Sequence, residues 1–295
     1  MARRAEAGPD GLLVVDKPAG WTSHDVVAKL RGVLGTRKVG HSGTLDPDAT
    51  GVLLVGVGRA TRLLRYLTAL GKAYTGELVL GVETSTLDAG GEVTATHAMG
   101  GTTLEQVRAA AAGLCGAIEQ VPPMVSAVRV GGRHLYELAR EGVEVERAAR
   151  PVTVHRYDVE PTDDPLVFRI DVACSSGTYV RTLAADVGTD LGGGAHLRAL
   201  RRTAVGPYGL DEAAPLDAVT VERLLTPAEA VRFLPALVAN AELTTAVGHG
   251  KVLPVAALGA DGPGPWRVLD TEGRLLAVYE DHGGATVKPA VVLPA

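Results

Sequence analysis

The segment Gly40-His41-Ser42-Gly43-Thr44-Leu45-Asp46-Pro47-Asp48-Ala49-Thr50-Gly51 gathers two carboxylates, a histidine and a serine into one short stretch. Its three glycines let the backbone adopt positive φ or come close to a ligand. Pro47 biases the residue before it toward an extended conformation and stiffens it. A carboxylate fixed in this way beside basic segments suits a nucleophile or a base acting on an anionic substrate. A surface turn opening on Asp-Pro fits the same spacing, and the spacing does not choose between Asp46 and Asp48.

Other chemistries fit less well. A nucleophile elbow needs G-x-S-x-G after a strand, and Gly40-His41-Ser42-Gly43 is one residue short of it. Cys174 and Arg181 are spaced as C-x6-R, one residue too far for a cysteine phosphatase loop. Gly56-Val57-Gly58 lacks the third glycine of a dinucleotide fingerprint. The eight histidines have no metal-ligand spacing, and neither do Cys115 and Cys174.

The elements that must position such a loop are readable from periodicity. Residues 12–15 are an apolar run expected to form a buried strand. Thr22 and Asp25 offer a capping box, with Val26, Val27, Leu30, Val33 and Leu34 at helical spacing up to Gly35. Residues 52–55 read as a second strand, Leu63, Leu64, Leu67 and Leu70 as a helical stripe, and residues 74–80 as a third strand. Thr103 and Gln106 cap another predicted helix. Residues 120–142 break into Pro, Gly and scattered charge. Alternation around Phe168, Ile170 and Val172 predicts a half-covered strand, and Thr178 is expected to cap a helix carrying Val180, Leu183 and Val187. Residues 211–236 read as helical. Beyond Leu237, short Val/Leu runs between Gly and Pro suggest a small β-barrel-like unit. Without regular βαβ alternation the fold class is α+β, not doubly wound.

The chain has 295 residues, 46% of them hydrophobic and 4% aromatic, enough for one aliphatic core and a smaller satellite. No apolar stretch has signal-peptide or membrane-spanning form, and a reducing cytoplasm is expected. The formal net charge of −5 is unfavourable for binding nucleic acid, but its distribution is uneven. Residues 1–72 hold 11 Lys/Arg against 6 Asp/Glu, and residues 172–210 hold 4 against 2, whereas the rest of the chain is acidic. A locally basic face on an acidic protein can still bind phosphates.

The loop at residues 40–51 resembles the G-x-x-G-x-L-D-P-x-A-x-G signature of the TruB family of pseudouridine synthases at every fixed position. Other stretches resemble that family in the same order. Asp16-Lys17-Pro18 with Gly20 resembles its D-K-P-x-G motif, and Lys72-Ala73-Tyr74 with Leu80-Gly81 its K-x-Y…L-G motif. Gln120, Pro122, Pro123, Ser126-Ala127 and Tyr136-Glu137-Leu138-Ala139-Arg140 resemble Q-x-P-P…S-A…Y-E-x-A-R, and Ser176-Gly177-Thr178-Tyr179-Val180-Arg181 resembles S-x-G-T-Y-(I/V)-R. The likeness runs collinearly over about residues 11–210. Ser85 departs from it where the family carries an acidic residue, and Arg129 stands where Lys is common.

The resemblance implies a mixed-sheet pseudouridine synthase catalytic domain over residues 11–236 after a disordered segment at 1–10. It also implies an RNA-closing insertion at about 120–150, rich in arginine, and a small PUA-like β-barrel at 237–295. It selects Asp46 as the catalytic carboxylate. Tyr74 is implied to stack on a flipped uracil and to accept a proton nearby, and Arg181 to pair with Asp46 or with a phosphate. His41 is implied to help hold the flipped-out conformation, with Lys17 and Lys72 as phosphate or structural contacts and Arg129, Arg133 and Arg202 as further RNA contacts. The expected reaction converts uridine 55 in the T arm of tRNA to pseudouridine without guide RNA, cofactor or metal, by a monomeric enzyme. A non-catalytic RNA-binding or tRNA-folding module on the same fold is the alternative.

Overall fold

Leu12, Leu13, Val14 and Val15 are all buried because the strand that carries them is covered on both faces. The computed structural model describes residues 8–293 except Ala127 and Glu144. Most of the expected disordered segment, residues 1–7, lies outside the described residues, whereas Asp10 is tied down, accepting from the backbone N–H of Arg59 at 2.6 Å.

The first strand, β1 (Gly11–Lys17), turns into α1 (Ser23–Val33), and β2 (Val39–His41) and β3 (Thr50–Val57) flank the carboxylate loop. A 3-10 turn (Gly58–Leu63) and α2 (Leu64–Thr68) lead to β4 (Lys72–Leu80). A hairpin of β5 (Val82–Thr84) and β6 (Val93–Thr96) precedes α3 (Leu104–Gly113) and β7 (Gly116–Gln120). Short elements β8 (Arg129–Val130), β9 (Arg133–His134) and α4 (Leu135–Arg140) occupy the expected insertion. Then come β10 (Arg150–Pro161), β11 (Val167–Cys174), α5 (Val180–Asp190), β12 (Ala195–Val205), β13 (Tyr208–Gly209) and β14 (Ala214–Pro215).

These strands form one mixed sheet in the order β14-β1-β3-β12-β4-β11-β10-β7, with β2 beside β3 and β13 beside β12. Side chains alternate across it with period two. Leu13, Val15, Leu53, Val55 and Val57 meet α1, α3 and α5 on one face, while Leu12, Val14, Val52 and Leu54 meet the 3-10 turn and α2 on the other. The α+β class follows directly. Central strand β12 runs parallel to β3 and antiparallel to β4, so it brings the carboxylate loop and Tyr74 to the same place.

The capping boxes of Thr22 with Asp25 and Thr103 with Gln106 form as expected. Thr178 does not cap α5. Tyr179 holds that position, and the Thr178 hydroxyl donates instead to the Ser175 carbonyl at 3.0 Å. Nor is the stretch 211–236 helical beyond two 3-10 turns, Val221–Arg223 and Glu229–Val231. Pro215, Pro227 and Pro235 interrupt it, and Leu225 exchanges both backbone hydrogen bonds with Leu12 at 2.9 Å, extending the sheet edge.

The C-terminal segment comprises β15 (Ala236–Val238), α6 (Ala241–Gly248), β16 (Leu253–Pro254), α7 (Val255–Leu258), β17 (Trp266–Leu269), β18 (Leu275–Gly283) and β19 (Thr286–Val292). Its strands form an open sheet, β15-β17-β18-β19-β16, not a closed barrel. Leu275, Val278, Val291 and Leu293 pack into the same apolar cluster as Leu12, Val52, Leu63 and Leu67, and Tyr66 donates to Glu280 at 2.8 Å. The C-terminal sheet therefore backs the main sheet opposite α1, α3 and α5.

Candidate active site

The loop between β2 and β3 is held by its backbone. Each carbonyl from Gly43 to Pro47 accepts a hydrogen bond. Arg202 donates to Gly43 and Thr44 at 3.2 and 3.4 Å, the Ser23 hydroxyl to Leu45 at 3.2 Å, and the Ala49 N–H to Asp46 at 3.1 Å. Lys17 Nζ and the Gly20 N–H both donate to Pro47, at 2.8 and 3.0 Å. Gly51, at φ +101°, lets β3 approach β12 so closely that a Cβ there would lie 2.1 Å from the Arg202 carbonyl. Unpaired backbone groups at this depth would be costly, so buried side chains satisfy them and fix Asp46 in the process.

Against this rigid loop lies Arg181, in the first turn of α5 and only 4% exposed. Its Nε approaches Asp46 Oδ2 at 3.0 Å and its Nη2 approaches Oδ1 at 3.3 Å, a side-on, two-point pairing. It also donates to the carbonyls of Thr86 and Val125, both at 2.8 Å, and lies 3.3 Å from Asp88 Oδ2. Gln120 pins the start of α5, accepting from the Tyr179 N–H at 2.8 Å and donating to the Tyr179 carbonyl at 3.2 Å. The geometry thus separates the two loop carboxylates: Arg181 engages Asp46 and not Asp48. Burial pushes the Asp46 carboxyl above the usual carboxylate range, and Asp88 adds to this, while the Arg181 guanidinium opposes it.

Asp46 and Arg181 border a cleft of about 260 Å³ that Tyr74, Lys72, Ser126 and Leu200 also line. Tyr74 stands on β4 opposite Arg202 of β12 and Val172 of β11. Burial raises its phenol above the ordinary range despite the nearby Arg202. Burial thus favours the neutral phenol over the phenolate. A second hollow, of about 310 Å³, lies beside Asp46 and Arg181 and is lined by Asp48, Asp88 and Ala199 as well.

Three of the basic residues offered as RNA contacts are buried and engaged by protein acceptors, which for Lys17 and Lys72 is the structural alternative. Lys17, fully buried, donates to the carbonyls of Pro18, Trp21 and Pro47 at 2.9, 2.6 and 2.8 Å. Lys72 donates to Thr68 and Leu70 carbonyls at 3.1 and 2.8 Å and to the Ser176 hydroxyl at 3.2 Å. Arg202, 1% exposed, adds Val52 at 2.7 Å to its loop carbonyls. With all three ammonium protons engaged, neither lysine has one left for a phosphate. Burial lowers both lysines to about 8. Replacing Lys17 with Met is expected to destabilise the fold by about 2–4 kcal/mol, because it strands buried carbonyls. It should leave the salt dependence of RNA binding unchanged, since no phosphate contact is lost. Thermal unfolding and binding titrations at several salt concentrations check both parts.

His41 is half-buried, edge-on to His24 at 5.3 Å between ring centroids, with Nδ1 unpartnered. Burial, with His24 and Arg202 nearby, lowers it to about 4, so the ring is neutral. Arg129 and Arg133 sit on the exposed β8–β9 hairpin away from the cleft, Arg133 paired with Glu141 at 2.5 Å. Sequence reasoning gave no role to Asp88, Gln120 or Ser23. Gln120 carried a signal as the first residue of the Q-x-P-P-like stretch, and Asp88 through Thr84-Ser85-Thr86-Leu87-Asp88, where Ser85 departs from the family. The backbone there turns through Leu87 at φ 62°, and Thr86 donates to Asp88 at 2.6 Å. Among the described residues no group of three metal-ligating side chains converges, and no helix is long and apolar enough to cross a membrane.

A carboxylate fixed by a buried arginine at the edge of a tyrosine-lined cleft has the make-up of an enzyme site. The sequence comparisons place it more closely. Residues 31–180 match the TruB family pseudouridylate synthase N-terminal domain, and residues 181–238 match the tRNA pseudouridylate synthase B C-terminal domain. The chain is 47% identical over 300 residues to tRNA pseudouridine synthase B of Arthrobacter sp. (strain FB24), covering 96% of both. It is 48% identical over 305 residues to the protein of that name from Mycobacterium sp. (strain KMS), covering 97% of both. Among solved structures, a chain of a Cbf5-Nop10-Gar1 complex superposes with a TM-score of 0.73 at 25% identity, covering 97% of this chain and 84% of that one. The chain belongs to the TruB family of pseudouridylate synthases.

Proposed function

We propose that this chain isomerises uridine 55 in the T arm of tRNA to pseudouridine, as a monomer in the cytoplasm and without a guide RNA. The observation that carries this reading is the two-point Arg181–Asp46 pairing on the edge of the cleft that Tyr74 lines. The target base is stacked within folded RNA, so the uridine is flipped into the cleft, where the Tyr74 ring offers a face for it. The Asp46 carboxylate attacks C1′ or assists departure of the base, as carboxylates do in retaining glycosidases. The N1–C1′ bond breaks, the base turns, and C5 bonds to C1′. The C5 proton then leaves to an acceptor and N1 gains one, so the atoms balance. Tyr74 is proposed to relay this proton, its neutral phenol giving up its own proton as it takes the one from C5.

Residues 11–236 form the proposed catalytic unit, with residues 120–150 closing over the RNA and 237–295 a PUA-like RNA-binding unit. Arg129 and Arg133 are the proposed backbone contacts, since both are exposed, and His41 is proposed to support the flipped state as a neutral ring. Because C5 loses its hydrogen, a tRNA transcript carrying tritium at uridine C5 should release one equivalent of tritium to water. Tight tRNA binding with no release would refute the reading. Tyr74→Phe keeps the ring and removes the oxygen. Tritium release should slow by about 10²-fold, the usual scale for a lost proton-transfer group, with affinity nearly unchanged.

A further inference from the structure

Most of the polar side chains lining the cleft are engaged within the protein itself. Lys72, Ser176, Thr178, Arg181 and Arg202 each donate to protein acceptors. Among the described residues, Ser126 is the cleft residue whose buried side-chain polar atom is left without a partner. It is 6% exposed and lines the cleft, and its Oγ has no hydrogen-bond partner among the described residues. Five other buried side-chain atoms among the described residues are unpartnered, on His41, Ser42, Tyr157, Thr182 and Arg267, but none of these residues lines this cleft. A buried hydroxyl without a partner is destabilising, and native chains rarely retain one without a use.

The backbone around Ser126 is fixed by the same group that fixes Asp46. Arg181 donates to the carbonyl of neighbouring Val125 at 2.8 Å. The Ser126 N–H donates to the Met124 carbonyl at 3.0 Å, and its carbonyl accepts from the Tyr136 N–H at 3.2 Å. The insertion therefore reaches the cleft at Ser126, held in register with the carboxylate by one guanidinium. We propose that the Ser126 hydroxyl is a substrate-binding group that hydrogen-bonds the flipped uridine. A hydroxyl both donates and accepts, so it can meet a uracil carbonyl oxygen or the N3–H. The proposal rests on the uridine-isomerising reading above.

The test is Ser126→Ala, measured as a single-turnover rate on a T-arm RNA hairpin and on the full tRNA transcript, together with thermal unfolding of the free protein. Removing a neutral hydrogen bond to substrate should slow conversion by about tenfold. Removing an unpartnered hydroxyl should leave the melting temperature of the free protein equal or higher. Slower turnover with undiminished stability supports the proposal. Wild-type turnover in Ser126→Ala overturns it, as does a fall in rate matched by a fall in stability, since the hydroxyl would then serve the fold. If the wild-type protein converts neither RNA, the reading beneath the proposal fails and the proposal with it.

Discussion

Asp46→Asn is expected to lower pseudouridine formation by about 10⁴-fold or more while tRNA affinity stays within a few-fold. The substitution is nearly isosteric, and the backbone carbonyls that fix the loop keep their partners: Arg202, Ser23, Ala49, Lys17 and Gly20 do not depend on the carboxylate. Arg181 retains Thr86, Val125 and Asp88, and the Asn amide oxygen can still accept from it. What disappears is the charge and the nucleophilic oxygen. Single-turnover kinetics beside a filter-binding titration separate the two effects. Loss of binding in proportion to turnover would mean that Asp46 serves the interface and not the chemistry.

Arg181→Met is expected to damage both rate and stability. The side chain is 4% exposed and engages two carboxylates and two carbonyls. Its loss leaves Asp46 and Asp88 facing each other without the cation they share, Lys17 remaining as a weaker influence on Asp46, and strands the two carbonyl oxygens. Breaking a buried charge pair of this kind costs about 3 kcal/mol in stability, and the loss of orientation should lower turnover by about 10³-fold. The pH profile carries a sign. Arg181 is the principal influence lowering the Asp46 carboxyl, with burial and Asp88 raising it. Without the guanidinium the carboxyl protonates at higher pH, so the acid limb of residual activity should move upward in pH. Arg181→Lys keeps a charge but not the planar fork, and should recover the pH limb better than the rate. An acid limb that stayed in place in Arg181→Met would contradict the assignment of this pair.

Strand and helix existence was legible where the physical period is strong. β1 and β3 are continuous apolar runs because both of their faces are covered, and the two capping boxes state themselves in four residues each. The stretch 211–236 misleads because its Leu and Ala content is helix-like, whereas prolines and the exchange of hydrogen bonds with Leu12 decide its conformation. At the site, the spacing of residues 40–51 left Asp46 and Asp48 equivalent. The resemblance chose Asp46, and the structure adds the physical basis: Arg181, distant in sequence, reaches only one of the two. Lys17, Lys72 and Arg202 show the opposite limit. Their charge is visible in sequence, but the loop carbonyls that absorb it become neighbours only through the β1–β3–β12–β4 order of the sheet. Ser126 was visible as a residue and silent as a function, since an unpartnered hydroxyl is a property of the folded chain alone.

The central claim is tested most directly by mapping pseudouridine at nucleotide resolution along an unmodified tRNA transcript incubated with the purified protein, without ATP, added metal or any second RNA. A single new pseudouridine is expected, at uridine 55 in the T arm, formed by the wild-type chain and absent with Asp46→Asn. A transcript that is bound but carries no pseudouridine would contradict it and favour a tRNA-binding module that shares this fold.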